Sequence, residues 1–440
     1  MKMEYLLERV RHSHPFRYYG SVAKVAGVIV ESDGPPASVG ELVHISLKNG
    51  RTLPCEVVGF RDNRIITMPL EEMAGVSLGD RVEAARSYPA VPVGESLLGR
   101  VVDSLGRPVD NLGPLSTTLS YPLYKRAPKA MRRTMIDEKV ETGVRAIDGF
   151  ITLGKGQRIG IFAGSGVGKS TLMGMIARNT SAQINVIVLV GERGREVKEF
   201  IERDLGKEGL KRSVIVVSTS DEPPLLKLRA AYAGTAVAEY FMEQGMDVLL
   251  MMDSLTRFAY SQREVGLSAG EPPSTKGYTP SVFSALPKLL ERAGNFEKKG
   301  SITGIYTVLV EADDITEPVA DISRSILDGH IVLSRDLAHH NHFPSIDVLQ
   351  SISRVMSAVV EKRHQRLAGS IRELMAAYRE AEDLINIGAY VKGSNPMIDR
   401  SLEKIDGINK ILRQAVDEKS GYEETYERMK LLMGDGDEAL

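Results

Sequence analysis

Apolar positions along this chain follow three successive rhythms. Between residues 18 and 85, short β-rich runs at 22–30, 42–45, 56–60 and 64–68 alternate with glycine and aspartate turns, a spacing that predicts a small β-barrel. From 150 to 350 the rhythm becomes strand, loop and helix, with apolar strands predicted at 158–163, 184–190, 214–218, 248–252, 305–310 and 330–333. Such strands, apolar throughout and separated by helices, predict an α/β layer on a largely parallel sheet. Beyond Ser351 the chain turns helical and charged, with one interruption at Lys392-Gly-Ser-Asn-Pro396. At the other end, Met3, Leu6, Leu7 and Val10 share one side of a helix predicted over the first 18 residues. The expected organisation is a docking helix at 1–18, a β-barrel at 19–87, an α/β domain at 88–350 and a helical domain at 351–440.

At 440 residues the chain is too long for one ordinary core. A net charge of −2 and a pI near 6.5 supply no global field to recruit polyanions, so nucleic acid is not an expected partner. The basic stretch Lys125, Arg126, Lys129, Arg132 and Arg133 does not alter this, because no aromatic residues are interleaved to stack on bases. Apolar runs such as 184–190 are strand-sized, well short of the roughly 18 residues of a spanning helix. The first residues lack the apolar stretch and small-residue cleavage site of a secretion signal, so a cytoplasmic location is expected. The single cysteine, Cys55, excludes an internal disulfide and reads as a small, half-buried strand residue rather than a nucleophile.

Candidate chemistry begins at residues 163–171, Ala-Gly-Ser-Gly-Val-Gly-Lys-Ser-Thr, between an apolar run and a helical stretch. This is the setting of a phosphate-binding P-loop. Gly164, Gly166 and Gly168 let backbone N–H groups, with those of Ser165, Val167 and Thr171, converge on anionic oxygens; Lys169 reaches the β/γ-phosphates, and the Ser170 hydroxyl suits Mg²⁺. Ala163 stands where the strict pattern has glycine, which requires negative φ there. The run 247–253 ends in Asp253 after five apolar residues, the form of a strand whose carboxylate helps hold Mg²⁺. The strand at 184–190 leads to Glu192, so the P-loop, Glu192 and Asp253 are expected on one edge of the sheet. A carboxylate beside a γ-phosphate is unfavourable unless it polarises an attacking water, although capping of the next helix is the plainer alternative. Positive charge for the transition state has three candidates, Arg193, Arg257 and Arg354, among which periodicity does not choose. The cluster Asp336-Leu-Ala-His-His-Asn-His342 lacks zinc-site spacing and reads as a polar loop.

Taken together, Gly164-Ser-Gly-Val-Gly-Lys-Ser170, Gly191-Glu-Arg-Gly-Arg-Glu196, Asp253-Ser-Leu-Thr-Arg257, Ala312-Asp-Asp-Ile-Thr-Glu-Pro318 and Ser351-Ile-Ser-Arg354 resemble the catalytic subunits of rotary ATP synthases and their type III secretion relatives over nearly the whole chain. The stretch from Asp383 to Asp399 resembles the flagellar export branch, and an acidic motif of the ATP synthase catalytic subunit's helical domain is missing. The resemblance implies a RecA-like P-loop core between a β-barrel and a helical domain, in a homohexamer with active sites between subunits. It assigns Lys169 and Ser170 to ATP and Mg²⁺, Glu192 to catalysis, Asp253 to the metal, and Arg354 to the neighbouring subunit's site. Arg193 and Arg257 resemble secondary phosphate arginines, Phe343 the aromatic residue on adenine, and Tyr390 a weaker candidate for that place. Non-catalytic relatives carry glutamine at the Glu192 position, so the glutamate argues for hydrolysis over a nucleotide-holding scaffold. Implied partners are a central stalk, a peripheral regulator at the N-terminal helix, export chaperones and substrates, and a membrane export gate at which association is peripheral. A virulence injectisome role is the nearest alternative, and a hexameric nucleic-acid translocase a more distant one.

Overall fold

The computed structural model describes residues 18–297, 299–310 and 317–434. The helix expected at 1–18 thus lies, up to residue 17, outside the described residues, as does most of the acidic motif at 312–318. The chain divides into two compact units. One holds residues up to Ala90 with Pro223–Leu226 and Ser261–Pro280; the other holds Val91–Glu222, Lys227–Tyr260 and Ser281–Leu440.

The first unit contains six strands, β1 (Tyr19–Ala26), β2 (Ile29–Asp33), β3 (Leu42–Ser46), β4 (Thr52–Arg61), β5 (Arg64–Pro69) and β6 (Arg81–Ala84). They close in the order β1-β2-β5-β4-β3-β6, with every pairing antiparallel. Alternation explains the closure: Val43 and Ile45 of β3 point inward while Ser46 is exposed, and Val30, Leu53, Val57 and Val82 meet them in the barrel core. Cys55 lies in that core, fully rather than half buried, and burial pushes its thiol up to about 12, so it stays an inert thiol. The Arg61 guanidinium donates to the Ser268 carbonyl at 3.4 Å, tying the 261–280 segment to β4. Nothing in the sequence pattern marked that attachment.

The second unit is built on β7 (Val101–Asp103), β8 (Arg158–Ala163), β9 (Ile184–Glu192), β10 (Ser213–Thr219), β11 (Val248–Asp253), β12 (Ser301–Leu309), β13 (Gly329–Leu333) and β14 (Ile346–Ser353). Their order is β14-β13-β8-β12-β11-β9-β10-β7, parallel throughout except for β14. Strands β8 to β12 are buried almost end to end, as apolar runs with no polar alternation require of a sheet covered on both faces. Strand β14 runs through residue 350, so the helical part begins beyond it.

The helices that matter to the site are α1 (Arg145–Phe150), α2 (Lys169–Asn179), α3 (Gly194–Glu199), α4 (Leu255–Ala269), α5 (Arg335–His339), α6 (Lys362–Asn386), α7 (Pro396–Leu412) and α8 (Tyr422–Met433). Asn395 caps α7, accepting from the Met397 and Ile398 N–H groups ahead of Pro396, which explains the break in the helical pattern there. One hydrophobic core joins sheet and helices: Ile147 and Phe150 of α1 belong with Ile371, Leu374, Ile408 and Met429. Part of the basic stretch is used internally, since Lys125 pairs with Glu239 and Glu243, and Arg133 with Glu291.

Candidate active site

Parallel register brings the carboxyl ends of four neighbouring strands into line. Ala163 of β8 lies beside Leu309 of β12, Met252 of β11 beside Tyr306, and Asp253 beside Leu189 of β9. Ala163 is the last residue of β8 and belongs to its parallel ladder with β12 and β13, an extended position that needs no glycine. The loop that follows does need it: Gly166 and Gly168 have φ of 79° and 89°. No side chain caps α2, so its first N–H groups face a cleft of about 730 Å³. That cleft is lined by Gly164, Ser165, Gly166, Gly168, Lys169, Ser170 and Thr171, with Glu192, Arg193 and Arg257 across from them. A helix start with no side-chain cap, beside the four cations Lys169, Arg193, Arg257 and Arg335, is suited to a polyanion.

Beneath the cleft, Lys169 Nζ lies 2.5 Å from Asp253 Oδ1, and the Thr307 hydroxyl donates to the same oxygen at 2.6 Å. Asp253 is 4% and Thr307 0% exposed, so strand β12 fixes the carboxylate from within the sheet. Glu192 is delivered by a register shift between Val190 and itself, at Gly191, whose φ of 67° turns the strand end. Burial, and then the neighbouring Asp253 charge, push its carboxyl up to about 7, with Lys169 pulling the other way. A carboxyl raised in this way has the affinity for a proton that general base chemistry near neutral pH calls for. Arg193, 76% exposed, pairs with Glu196 at the start of α3.

Two expected residues fall elsewhere. Arg354 sits at the end of β14, where its N–H bonds the Asp328 carbonyl and its guanidinium approaches the Arg324 carbonyl at 3.5 Å. Ser353 pairs with Gly329, the first residue of β13, so Arg354 lies at the opposite sheet edge from the P-loop, roughly 13 Å along β13. Tyr390 donates to Asp399 and to the Asn395 carbonyl in the α6–α7 turn and is not among the residues lining the cavity that Phe343 borders.

Phe343 borders a second, largely apolar cavity of about 320 Å³ with Leu172, Met175, Ala415 and Val416, and both cavities share Gly168 and Thr171 as a wall. Sequence reasoning missed Tyr260 and Arg335, which line the cleft, and Thr307 beneath it; a threonine among the apolar residues 305–310 was the one signal, and it pointed to Thr307 alone. The stretch 336–342, expected as a polar loop, instead begins in α5, which Ser334 caps by accepting from the Leu337 N–H; His340 bonds the Asp336 carbonyl, while burial and Arg413 push His342 down to about 4. No cluster of three histidine, cysteine or acidic residues fit for a metal occurs among the described residues.

Comparison with known proteins places this geometry. Residues 143–353 match the ATP synthase alpha/beta family nucleotide-binding domain, 22–85 that family's beta-barrel domain, and 360–431 the T3SS EscN ATPase C-terminal domain. The flagellum-specific ATP synthase of Bacillus subtilis (strain 168) is 52% identical over 99% of both chains. The type 3 secretion system ATPase of Xanthomonas euvesicatoria is 50% identical over 95% of each. The assembled ATPase EscN from the type III secretion system of enteropathogenic E. coli superposes with a TM-score of 0.89 at 44% identity, covering 94% of this chain and 100% of that one. A P-loop, a poised glutamate and a buried aspartate on one sheet edge, within a barrel–core–helix chain matched along its length, mean that this chain is an ATP-hydrolysing member of the ATP synthase alpha/beta family, in its flagellar and type III secretion ATPase branch.

Proposed function

We propose that the chain hydrolyses Mg²⁺-ATP to energise flagellar type III protein export, at sites shared between neighbouring subunits of a homohexamer. The observation that carries the hydrolytic step is Glu192, raised toward neutrality within the same cleft as the P-loop and Lys169. On this reading the 164–171 backbone and Lys169 bind the β- and γ-phosphates, and Glu192 takes a proton from the attacking water. Arg193 and Arg257 offset charge on the phosphates. Ser170 and Asp253 are hard oxygen donors of the kind Mg²⁺ takes, and Asp253 Oδ2 is free of the contacts to Lys169 and Thr307. Bound Mg²⁺ supplies charge neutralisation on the phosphates. Phe343 packs on the base; Tyr390 is not favoured for that place because its hydroxyl is engaged within its own turn.

Arg354 acts in a neighbouring subunit's cleft, a reading supported by its position at the far sheet edge of its own chain. Assembly draws support from solved structures of EscN, described as assembled and as a complex with its central stalk EscO. A comparable stalk, export chaperones and substrates, a regulator at the N-terminal helix and a membrane export gate complete the proposed partners. Location at the cytoplasmic membrane face is peripheral in this reading. Among the described residues no helix is long and apolar enough to cross a membrane. The proposed domains follow the sequence reading, 1–18, 19–87, 88–350 and 351–440, with the last boundary moved past Ser353, where β14 ends.

The flagellar assignment follows the relative from Bacillus subtilis. An injectisome role is the second reading, favoured by the near-equal identity to the relative from Xanthomonas euvesicatoria. Expression in Bacillus subtilis lacking its own flagellum-specific ATP synthase tests the choice. Restored filament export is expected; rescue of type III secretion in Xanthomonas euvesicatoria without rescue of flagella would favour the injectisome.

A further inference from the structure

The cavity beside Phe343 is closed on one side by Gln414, Ala415 and Val416, which with Arg413 belong to no helix and lie in the connection from α7 to α8. An irregular wall keeps a fixed surface only if its backbone polar groups have partners. The Val416 carbonyl accepts from Arg178 of α2 at 2.6 Å and the Ala415 N–H donates to Glu418 Oε2 at 3.2 Å, and the rest of the segment is held from the start of α1. Arg145, 2% exposed, donates through Nε to the Ile411 carbonyl at 2.7 Å, through Nη2 to the Arg413 carbonyl, and through both Nη groups to the Glu418 carboxylate. Its backbone N–H donates to Gln414 Oε1 at 2.9 Å. Gln414 Nε2 in turn donates to the carbonyls of Gly143 (2.7 Å) and Glu418 (2.9 Å), and its N–H to the Phe343 carbonyl at 2.9 Å. The turn behind Arg145 is itself fixed, since Asp148 accepts from Thr142 N–H, Thr142 Oγ1 and Gly143 N–H.

We propose that Arg145 is a positioning residue for the nucleobase: by clamping Ile411, Arg413 and Glu418 it sets the 413–416 wall, and through Gln414 the backbone of Phe343, without lining the cavity. This rests on reading the Phe343 cavity as the base site. A guanidinium suits the task because its planar fork serves two carbonyls and a carboxylate together, which a single ammonium does not reproduce. The phosphate cleft shares none of these bonds, so the effect is confined to the base end of the ligand.

The test compares binding of ATP with that of base-free ribose 5-triphosphate, alongside kcat, in Arg145→Lys, Glu418→Gln and Phe343→Ala chains. Arg145→Lys and Glu418→Gln are expected to weaken ATP about tenfold, to leave ribose 5-triphosphate within about twofold, and to keep kcat at saturating ATP. Phe343→Ala calibrates the reading itself. If it weakens both ligands alike, the cavity is not the base site. If it weakens ATP alone while the other two variants change neither ligand, or both in parallel, the positioning role is overturned. Should Arg145→Lys fail to fold, Glu418→Gln, which keeps an oxygen for the Ala415 N–H but loses the charge paired with Arg145 and whose side chain is 35% exposed, decides the matter by the same comparison.

Discussion

Glu192 and Thr307 carry predictions that belong to single side chains. With its carboxyl raised to about 7, Glu192 is protonated in slightly acidic solution and ionised above neutrality. In its proposed role of accepting a proton from water it must be ionised, so kcat/KM is expected to rise with pH through about 7 and level off above it. In Glu192→Gln that limb disappears, ATP binding persists and turnover falls by about 10²- to 10⁴-fold; unchanged hydrolysis would remove Glu192 from the reaction. Thr307 shares Asp253 Oδ1 with Lys169. Thr307→Val should lower kcat by about tenfold with ATP affinity intact, and Thr307→Ser should restore it; parallel losses in both variants would argue for packing instead. The glycines, Lys169 and Asp253 were legible because their chemistry is written in contiguous residues. Thr307 was not, because only the β11–β12 pairing brings it to Asp253 across 54 positions.

At the scale of elements, the turn before α1 has a measurable electrostatic signature. Burial raises the Asp148 carboxyl to about 7, against the pull of hydrogen bonds from Thr142 and Gly143. Its folded-state value exceeds its ordinary 3.8, so the stability it contributes is fully present below about pH 4 and lost as pH rises through 7. Denaturant titrations of the parent chain and Asp148→Asn should therefore diverge with pH. The parent's relative stability is expected to fall by about 1 kcal/mol per pH unit between 4 and 7 and to stay level above; a difference independent of pH would contradict the burial argument. The strand and helix rhythm predicted the parallel layer, the barrel and the helical end. It did not predict that the α7–α8 connection forms a wall of the Phe343 cavity, since the bond from Arg145 to Gln414 spans 269 positions and no local pattern records it.

For the whole molecule, the proposed role of Arg354 in a neighbouring subunit's cleft predicts that turnover depends on oligomerisation, in keeping with its place at the far sheet edge of its own chain. Mixing Arg354→Ala with Lys169→Ala chains, each inactive alone, should recover part of the activity; continued inactivity in verified mixed hexamers would count against a role in trans. The core that Ile147 and Phe150 share with Ile371, Leu374 and Met429 has a further consequence. The helical end is no appendage that melts by itself. Cutting the chain after Glu361 would open the apolar flank of α1 to water, and the shortened protein should be recovered as aggregate. In the intact chain a strain applied to α6 or α8 is borne by α1, which leads within a few residues into β8 of the nucleotide-binding sheet, so a load on the helices and a ligand in the cleft act on one mechanically continuous body.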